Sequence, residues 1–267
     1  MRAKVSLKWV MIGTACLGFT GCNHLSGKPG PEPDVPRPEQ VLDFHTLYRQ
    51  NCAACHGDTG EHGAAISLSS PVYLAIAGES NVRNVIANGV KAELMPAFAK
   101  SAGGMLTDQQ VAVLAHGLVS EWGKPQVLAG VTAPAYKAGT QGDAGEGQKV
   151  FSIYCARCHG ETGQGAGRPG AVGSIVDPVF LGLTSDQYLR SLILAGVADQ
   201  GMPDWLHNTA SNGKQMTDAE LTDLVTWLTS HRTPQQPADR TTAGQARQNQ
   251  ELHPHGPAQP PTQQAPI

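Results

Sequence analysis

The sequence predicts an all-α protein in which one small helical domain occurs twice in tandem. The same short motifs return in the same order in the second half of the 267-residue chain, and apolar residues recur at helical spacing around them. Aromatic residues make up only 5% of the chain and charged residues 15%. This composition supplies too few large side chains for one wide hydrophobic core. It therefore favours two small domains, in each of which a group other than a side chain fills part of the core.

Four matching motifs define the repeat. The corresponding segments are Cys52–His56 and Cys155–His159, Pro71–Leu74 and Pro178–Leu181, Asn88–Val90 and Ala195–Val197, and Met95-Pro96 and Met202-Pro203. Spacings between the motifs differ only where glycine-rich loops are expected. We therefore predict two copies of one domain, at residues 39–124 and 142–233. The linker between them, residues 125–141, is rich in Ala, Gly and Pro and lets the two domains face one another.

Helices are expected at both ends of each repeat. One is predicted to begin near Glu39 and its counterpart near Gly145, each directly ahead of a cysteine motif. Thr107 and Thr217 are suitable N-caps for the last helix of each repeat. Shorter elements complete the prediction, namely helices at 82–87 and 185–194 and loops at 57–71 and 160–178.

The two ends of the chain lie outside the repeat. Residues 1–21 have the basic-then-apolar composition of a secretory signal peptide, and they end in a segment that resembles a bacterial lipobox ahead of Cys22. We therefore expect export, lipidation of Cys22 and a Pro- and Gly-rich tether at 22–38, with Asn23 favouring the outer membrane. A plain signal peptide with an incidental cysteine is the alternative. Residues 234–267 have the composition of a disordered tail.

Charge and hydropathy exclude two classes of protein. The net charge of −3 lacks the basic excess that a general nucleic-acid-binding protein carries. No apolar run reaches the roughly 18 residues that a transmembrane helix needs. We therefore predict neither nucleic-acid binding nor a polytopic membrane protein, and we expect contact with a membrane surface only through lipid on Cys22.

Each repeat contains one CxxCH motif. This spacing suits covalent attachment of c-type haem, because the two thiols form thioethers with the vinyl groups and the next imidazole reaches the iron. The predicted haem-attachment residues are Cys52, Cys55, Cys155 and Cys158, and the predicted proximal iron ligands are His56 and His159. Two haems are therefore expected. A zinc ion shared by both cysteine pairs is the metal alternative.

Met95 and Met202 are the predicted sixth ligands of the two irons. Each precedes a proline at the matching position of its repeat, and a methionine thioether raises the reduction potential relative to a second histidine. Core methionines are the alternative interpretation, and His62, His116 and His207 are the other candidate ligands. A filled sixth position supports electron transfer, whereas an open one admits a substrate.

On these motifs, residues 39–232 resemble the class I c-type cytochromes, in particular diheme members built from two such domains. The resemblance implies that the first and last helices cross beside each haem, with a glycine on one helix receiving an aromatic residue from the other. We predict that Trp227 packs against Gly147 in the second repeat. In the first repeat the aromatic residue lies on the first helix and the glycine on the last. Phe44 is therefore predicted to pack against Gly117, so that the total side-chain volume at the crossing is conserved.

The resemblance also implies a proline carbonyl that accepts a hydrogen bond from the proximal imidazole and orients its ring. Pro71 and Pro178 are the aligned candidates. Pro169 competes for this role in the second repeat.

The predicted function is electron transfer by two His/Met-ligated haems in the periplasm or at the cell surface, between redox proteins. One alternative is a cytochrome subunit of a dehydrogenase or oxidase complex. The other is a diheme enzyme, such as a peroxidase or a sulfur-compound dehydrogenase, with one displaceable axial ligand. Since two methionines fill both sixth positions, the sequence favours an electron carrier with no catalytic residue. Each small domain is expected to need its haem to fold.

Overall fold

The computed structural model describes residues 35–90, 94–165 and 172–233. The chain divides into two compact units, Met1–Val41 and Leu42–Ile267. The described part of the first unit contains a 3-10 turn, Pro38–Gln40. The predictions for the signal peptide, for lipidation of Cys22 and for the C-terminal tail lie outside the described residues.

The described part of the second unit contains nine α-helices. In the first repeat these are α1 (Phe44–Asn51), α2 (Ala53–His56), α3 (Pro71–Asn88) and α4 (Asp108–Gly117), followed by a π-helical turn (Leu118–Trp122). In the second repeat they are α5 (Ala144–Tyr154), α6 (Ala156–His159), α7 (Pro178–Gly182), α8 (Asp186–Ala195) and α9 (Asp218–Ser230). Among the described residues, β-type backbone pairing is limited to three isolated β-bridges. The predicted all-α class is confirmed.

Membrane-spanning helices are not found in the described part of the chain, where no helix has the length and apolar composition that a span requires.

Side-chain caps determine where the helices of the crossings begin. The Asp43 carboxylate accepts a backbone hydrogen bond of 2.8 Å from the first turn of α1. This helix therefore begins at Phe44 and not near Glu39, because an N-cap fixes the start more strongly than the apolar pattern ahead of it. Thr107 and Thr217 each form a capping box at the start of α4 and α9, as the sequence predicted.

α3 is longer than the helix predicted at 82–87. It begins after the N-cap Ser70 and is interrupted at Gly78, whose φ of 69° and ψ of 157° are not helical. In the second repeat the corresponding stretch forms two separate helices, α7 and α8. The duplicated domain therefore keeps the same helical path and breaks it at the matching position, because Gly78 corresponds to Ser185, the extended N-cap of α8.

The crossing of α5 and α9 in the second repeat follows the prediction. The two helices pack against each other, and a Cβ on Gly147 would overlap the Asp223 carbonyl and the Cβ of Trp227. The Trp227 ring lies 4.4 Å, centroid to centroid, from the ring of Phe151. The glycine thus permits a close helix approach that the Trp227 side chain then covers.

The crossing of α1 and α4 in the first repeat has its partners exchanged, also as predicted. A Cβ on Gly117 would overlap the ring of Phe44. Trp122, from the π-helical turn, completes this cluster at 5.8 Å from the Phe44 ring and 5.0 Å from the Tyr48 ring. The Trp122 contact was not predicted from the sequence.

Residues 135–136 of the linker, which we call the linker strap, pack between the two repeats. Tyr136 is buried and its ring lies 6.2 Å from the ring of Tyr73 on α3. The Ala135 carbonyl accepts two hydrogen bonds, of 3.1 and 2.8 Å, from the guanidinium of Arg190 on α8, and Gln187 donates to the Tyr136 carbonyl at 3.0 Å. α3 and α8 also contact each other. This part of the linker is therefore held in place by side chains of the second repeat.

Candidate haem-binding sites

The first CxxCH motif forms a single helical turn between α1 and the following loop. Cys52 ends α1 and precedes α2, and its carbonyl accepts hydrogen bonds from the backbone of Cys55 at 3.1 Å and of His56 at 3.0 Å. Residues three and four apart on a helix share a face, so this turn directs the two thiols and the imidazole to one side. Both cysteines are free of disulfides.

The second motif repeats this geometry closely. Cys155 has φ −121° and ψ −35°, against −120° and −38° for Cys52. Its carbonyl accepts from the backbone of Cys158 and of His159, both at 3.1 Å. Both of its cysteines are likewise free of disulfides. The structure thus builds two equivalent thiol pairs, each followed by an imidazole.

His56 is held in the form and orientation that an iron ligand requires. Its side chain is 7% exposed, and burial lowers the pKa of the imidazole below its ordinary value. Nδ1 lies 2.8 Å from the carbonyl oxygen of Ile66. A neutral ring that donates from Nδ1 keeps the Nε2 lone pair for a metal.

The Ile66 carbonyl corrects the prediction made for Pro71. Pro71 is the first residue of α3, so its carbonyl is directed along that helix. Ile66 precedes it in the loop and meets the imidazole instead. In the first repeat the acceptor for the His56 imidazole is therefore the Ile66 carbonyl and not that of a proline.

His159 is neutral for the same reason, since burial lowers its pKa. Among the described residues its buried Nδ1 has no hydrogen-bond partner. Pro178 begins α7 and does not supply the predicted acceptor. Pro169, the competing candidate, lies outside the described residues.

The arrangement of the cysteines fits thioether chemistry. Burial raises the pKa of Cys52 and of Cys155 to about 12, so both are held as neutral thiols. A metal deprotonates any thiol that it binds, so the grouping of side chains, and not this pKa shift, bears on zinc. Within the described ranges no three His, Cys, Asp or Glu side chains form a group suited to a metal ion. Paired free thiols beside a neutral imidazole fit covalent haem c.

Met95 and Met202 lie on equivalent loops, each seated against the end of a helix. Gly89 after α3 and Gly196 after α8 have φ of 66° and 68°. A Cβ on either glycine would overlap the backbone of the Met-Pro segment. Because only glycine permits both this φ and this approach, the two glycines fix where the methionine loops lie. Iron ligation by the methionines remains a prediction.

Several positioning residues were not predicted. Gly89 and Gly196 were visible as matching residues of the repeat, but their role depends on how the Met-Pro loop turns back onto them. Ile66 acts through its carbonyl, so no side-chain pattern indicates it. The alternative ligands His62, His116 and His207 are all exposed and each lies within 3.6 Å of a carboxylate oxygen.

Comparison with known proteins places these features in a family. The sequence matches the family described as cytochrome c oxidase, cbb3-type, subunit III over residues 39–116 and 142–228. One curated relative is the cbb3-type cytochrome c oxidase subunit CcoP of Azospirillum sp. (strain B510), 27% identical over 152 residues, which are 55% of this chain and 50% of the relative. The chain spans about half the length of this oxidase subunit.

Two further curated relatives are described as proteins other than cbb3-type oxidase subunits. A cytochrome bc1 complex cytochrome c subunit of Corynebacterium diphtheriae is 22% identical over 88% of this chain and 85% of the relative. A thiosulfate dehydrogenase of Stutzerimonas stutzeri is 26% identical over 70% of this chain and 61% of the relative.

The family match includes both CxxCH turns and both Met-Pro loops. It confirms the resemblance to diheme c-type cytochromes, and with it covalent binding of haem c. Because the matched segments make up more than half of the chain, the chain belongs to the cbb3-type cytochrome c oxidase subunit III family.

Proposed function

We propose that this chain transfers electrons through two haems c, one held by residues 39–124 and one by residues 142–233. The observation that carries the proposal is the duplicated CxxCH turn, in which burial keeps both His56 and His159 neutral. Haem c, when bound, supplies a one-electron iron couple. The Ile66 carbonyl orients the His56 imidazole, burial excludes water from both imidazoles, and Gly89 and Gly196 fix the methionine loops.

Absorption spectra of the purified oxidised protein test the ligand set. Methionine-ligated ferric haem has a weak absorption band in the red. We expect Met95→Ala and Met202→Ala each to remove about half of this band and to lower the reduction potential of one haem, because methionine ligation raises the potential. Met105→Ala is the matched control, since Met105 is exposed. A full band in either ligand variant would contradict the proposal.

The proposed partners are redox proteins that donate and accept single electrons. The relatives include subunits of a cbb3-type oxidase and of a cytochrome bc1 complex, which supports work inside a respiratory complex. Free shuttling between partners is the alternative. Affinity purification of the tagged full chain from its native membranes distinguishes the two. Stoichiometric recovery of other haem-containing subunits favours a complex, and recovery of the cytochrome alone favours a shuttle.

The thiosulfate dehydrogenase relative supports a second candidate, an enzyme that oxidises a sulfur compound. Two methionine-filled sites would not bind such a substrate at iron, so we expect thiosulfate to leave the oxidised haems oxidised. Their reduction on addition of thiosulfate would favour the enzyme.

We further propose that the chain is exported and anchored to a membrane through lipid on Cys22. The support is the lipobox-like segment that precedes this cysteine. Labelled palmitate is expected to be incorporated into the full chain and not into Cys22→Ala. Equal labelling of both would overturn the lipid anchor without affecting the haem sites.

A further inference from the structure

The Tyr48 hydroxyl binds the main chain directly after the proximal histidine of the first repeat. Tyr48 lies on α1, its side chain is buried, and its hydroxyl donates to the Gly57 carbonyl at 2.7 Å. Burial raises the pKa of Tyr48, so the hydroxyl keeps its proton and acts as the donor. Since Gly57 follows His56 in the chain, this bond fixes the backbone where it leaves the haem-attachment turn.

The Gly57 carbonyl begins a series of hydrogen bonds through the following loop. It also accepts from the Gly60 amide at 3.2 Å. The Gly60 carbonyl in turn accepts from the Leu68 amide at 2.7 Å and from the Ser67 hydroxyl at 3.2 Å. The segment in which the loop returns towards α3 is therefore held on the turn that Tyr48 fixes.

Ile66 lies between two anchored neighbours of this loop. On one side the Ala65 amide donates to the Cys55 carbonyl at 2.9 Å. On the other side Ser67 belongs to the anchored return segment. Because both neighbours are bound, the Ile66 carbonyl is presented to Nδ1 of His56, at 2.8 Å.

The second repeat cannot form the Tyr48 bond, because the matching residue is Phe151, which has no hydroxyl. The backbone at the acceptor is nevertheless the same in both repeats. Gly57 has φ 80° and ψ 158°, and Gly160 has φ 76° and ψ 161°. The turn therefore forms without the hydroxyl, and the Tyr48 bond restrains a turn that the fold already builds.

We propose that Tyr48 is a positioning residue for the haem of the first repeat: its hydroxyl bond keeps the Ile66 carbonyl on His56 and thereby lowers the reduction potential of that haem. A hydrogen bond from Nδ1 to a carbonyl makes the imidazole a stronger electron donor to the iron. A stronger donor stabilises the oxidised state, and hydrogen bonding around the ligands is one means by which a protein sets a haem potential. This inference rests on the proposed electron transfer by a haem at His56.

Tyr48→Phe is the test, because it removes one oxygen atom and introduces the residue that the second repeat carries. In a Met202→Ala background the red methionine band reports the first haem alone, and a redox titration of that band gives its potential. We expect the ratio of reduced to oxidised haem at a fixed potential to rise about threefold to tenfold, which is an upward shift of about 30 to 60 mV.

A second readout follows the hydrogen bond itself. In the reduced protein with isotope-labelled histidine, NMR measures the exchange of the His56 Nδ1 proton with solvent. We expect Tyr48→Phe to accelerate this exchange several-fold, because the carbonyl that holds the proton is less firmly placed. A merely structural role of Tyr48 would lower the free energy of unfolding and leave both the potential and the exchange unchanged.

Tyr154→Phe is the matched control. Tyr154 is also a buried tyrosine, and it ends the helix ahead of the second motif. The change removes a hydroxyl from the other repeat, so neither the potential of the first haem nor the exchange of the His56 proton is expected to change.

The outcomes separate this inference from the proposed function. An unchanged potential or an unchanged exchange rate in Tyr48→Phe overturns the inference and leaves electron transfer by two haems intact, and equal changes in Tyr154→Phe do the same. Absence of the methionine band from the unmodified protein overturns the proposed His/Met ligation. The exchange of the His56 proton then decides the inference by itself, since that proton belongs to His56 and not to the sixth ligand.

Discussion

The two repeats fill the same helix crossing with the large and small residues on opposite helices. In the second repeat the glycine, Gly147, lies on the first helix and Trp227 on the last. In the first repeat Phe44 lies on the first helix and Gly117 on the last. Since both crossings remain closely packed, the duplicated domain conserves the volume at the crossing and not the residue at each position.

A tryptophan nevertheless lies over the loop after each motif. The Trp227 ring approaches Gly163 in the second repeat, and the Trp122 ring approaches Gly60 in the first. Trp122 does not align with Trp227 in sequence, because it belongs to the π-helical turn after α4. Such a turn changes the register of the helix. The first repeat thus covers its loop glycine from a different sequence position.

The crossings also differ in what faces each glycine. Gly117 faces the ring of a side chain, whereas Gly147 faces the main-chain carbonyl of Asp223. A side chain can change rotamer or be shortened by substitution, but a carbonyl moves only with its helix. The same added methyl group should therefore have different consequences in the two repeats.

The largest effect is expected for Gly147→Ala. The methyl group would overlap the carbonyl of Asp223, so α5 and α9 must separate, and we expect a loss of more than about 3 kcal/mol from the free energy of unfolding. Denaturant titration of the haem-loaded protein measures it. Adding Trp227→Leu should not restore stability. A loss near zero would show that α9 shifts freely.

Arg190→Ala tests a second difference, since side chains of the second repeat bind the carbonyls of the linker strap. Arg190 is 2% exposed and donates to Ala135, Thr222 and Asp218. We expect a loss of about 2 to 3 kcal/mol, because the variant removes a buried side chain together with its hydrogen bonds to Ala135, Thr222 and Asp218, and faster proteolysis of the linker.

Arg83 is the matched control for this variant. It lies as far before Gly89 as Arg190 lies before Gly196, and it is exposed. Arg83→Ala is expected to change the free energy of unfolding by less than about 0.5 kcal/mol. Equal losses in the two variants would show that the linker strap does not depend on Arg190.

Gly117→Ala is expected to have the smallest effect of the three, a loss of about 1 to 2 kcal/mol. Its methyl group meets the Phe44 ring, which is a side chain. The added substitution Phe44→Leu makes room, so the double variant should be more stable than Gly117→Ala alone. If it is less stable, the crossing depends on the Phe44 ring itself and not on filled volume.

Much of the site could be predicted because its chemistry is local. The thiols and imidazole of Cys52–His56 lie within one helical turn, and the same turn recurs at Cys155–His159. The crossings were predictable because the resemblance to the class I c-type cytochromes implies a glycine–aromatic contact, and comparison of the two repeats shows which residues occupy these positions. The partner of His56 could not be predicted, since the Ile66 carbonyl belongs to the main chain and every residue offers one.

The sequence by itself determined the all-α class, the duplication and the two CxxCH turns, because each depends on residue types at fixed short spacing or on comparison of one repeat with the other. The exchanged partners of the crossings followed from the resemblance to the class I c-type cytochromes. Tertiary structure alone decided that Gly89 and Gly196 seat the methionine loops, that Trp122 covers Gly60 and that Arg190 holds the linker strap. Trp122 and Arg190 act on residues more than 50 positions away, and the two glycines act through the way in which a loop turns back onto the end of a helix. None of these contacts follows from residue types at fixed spacing.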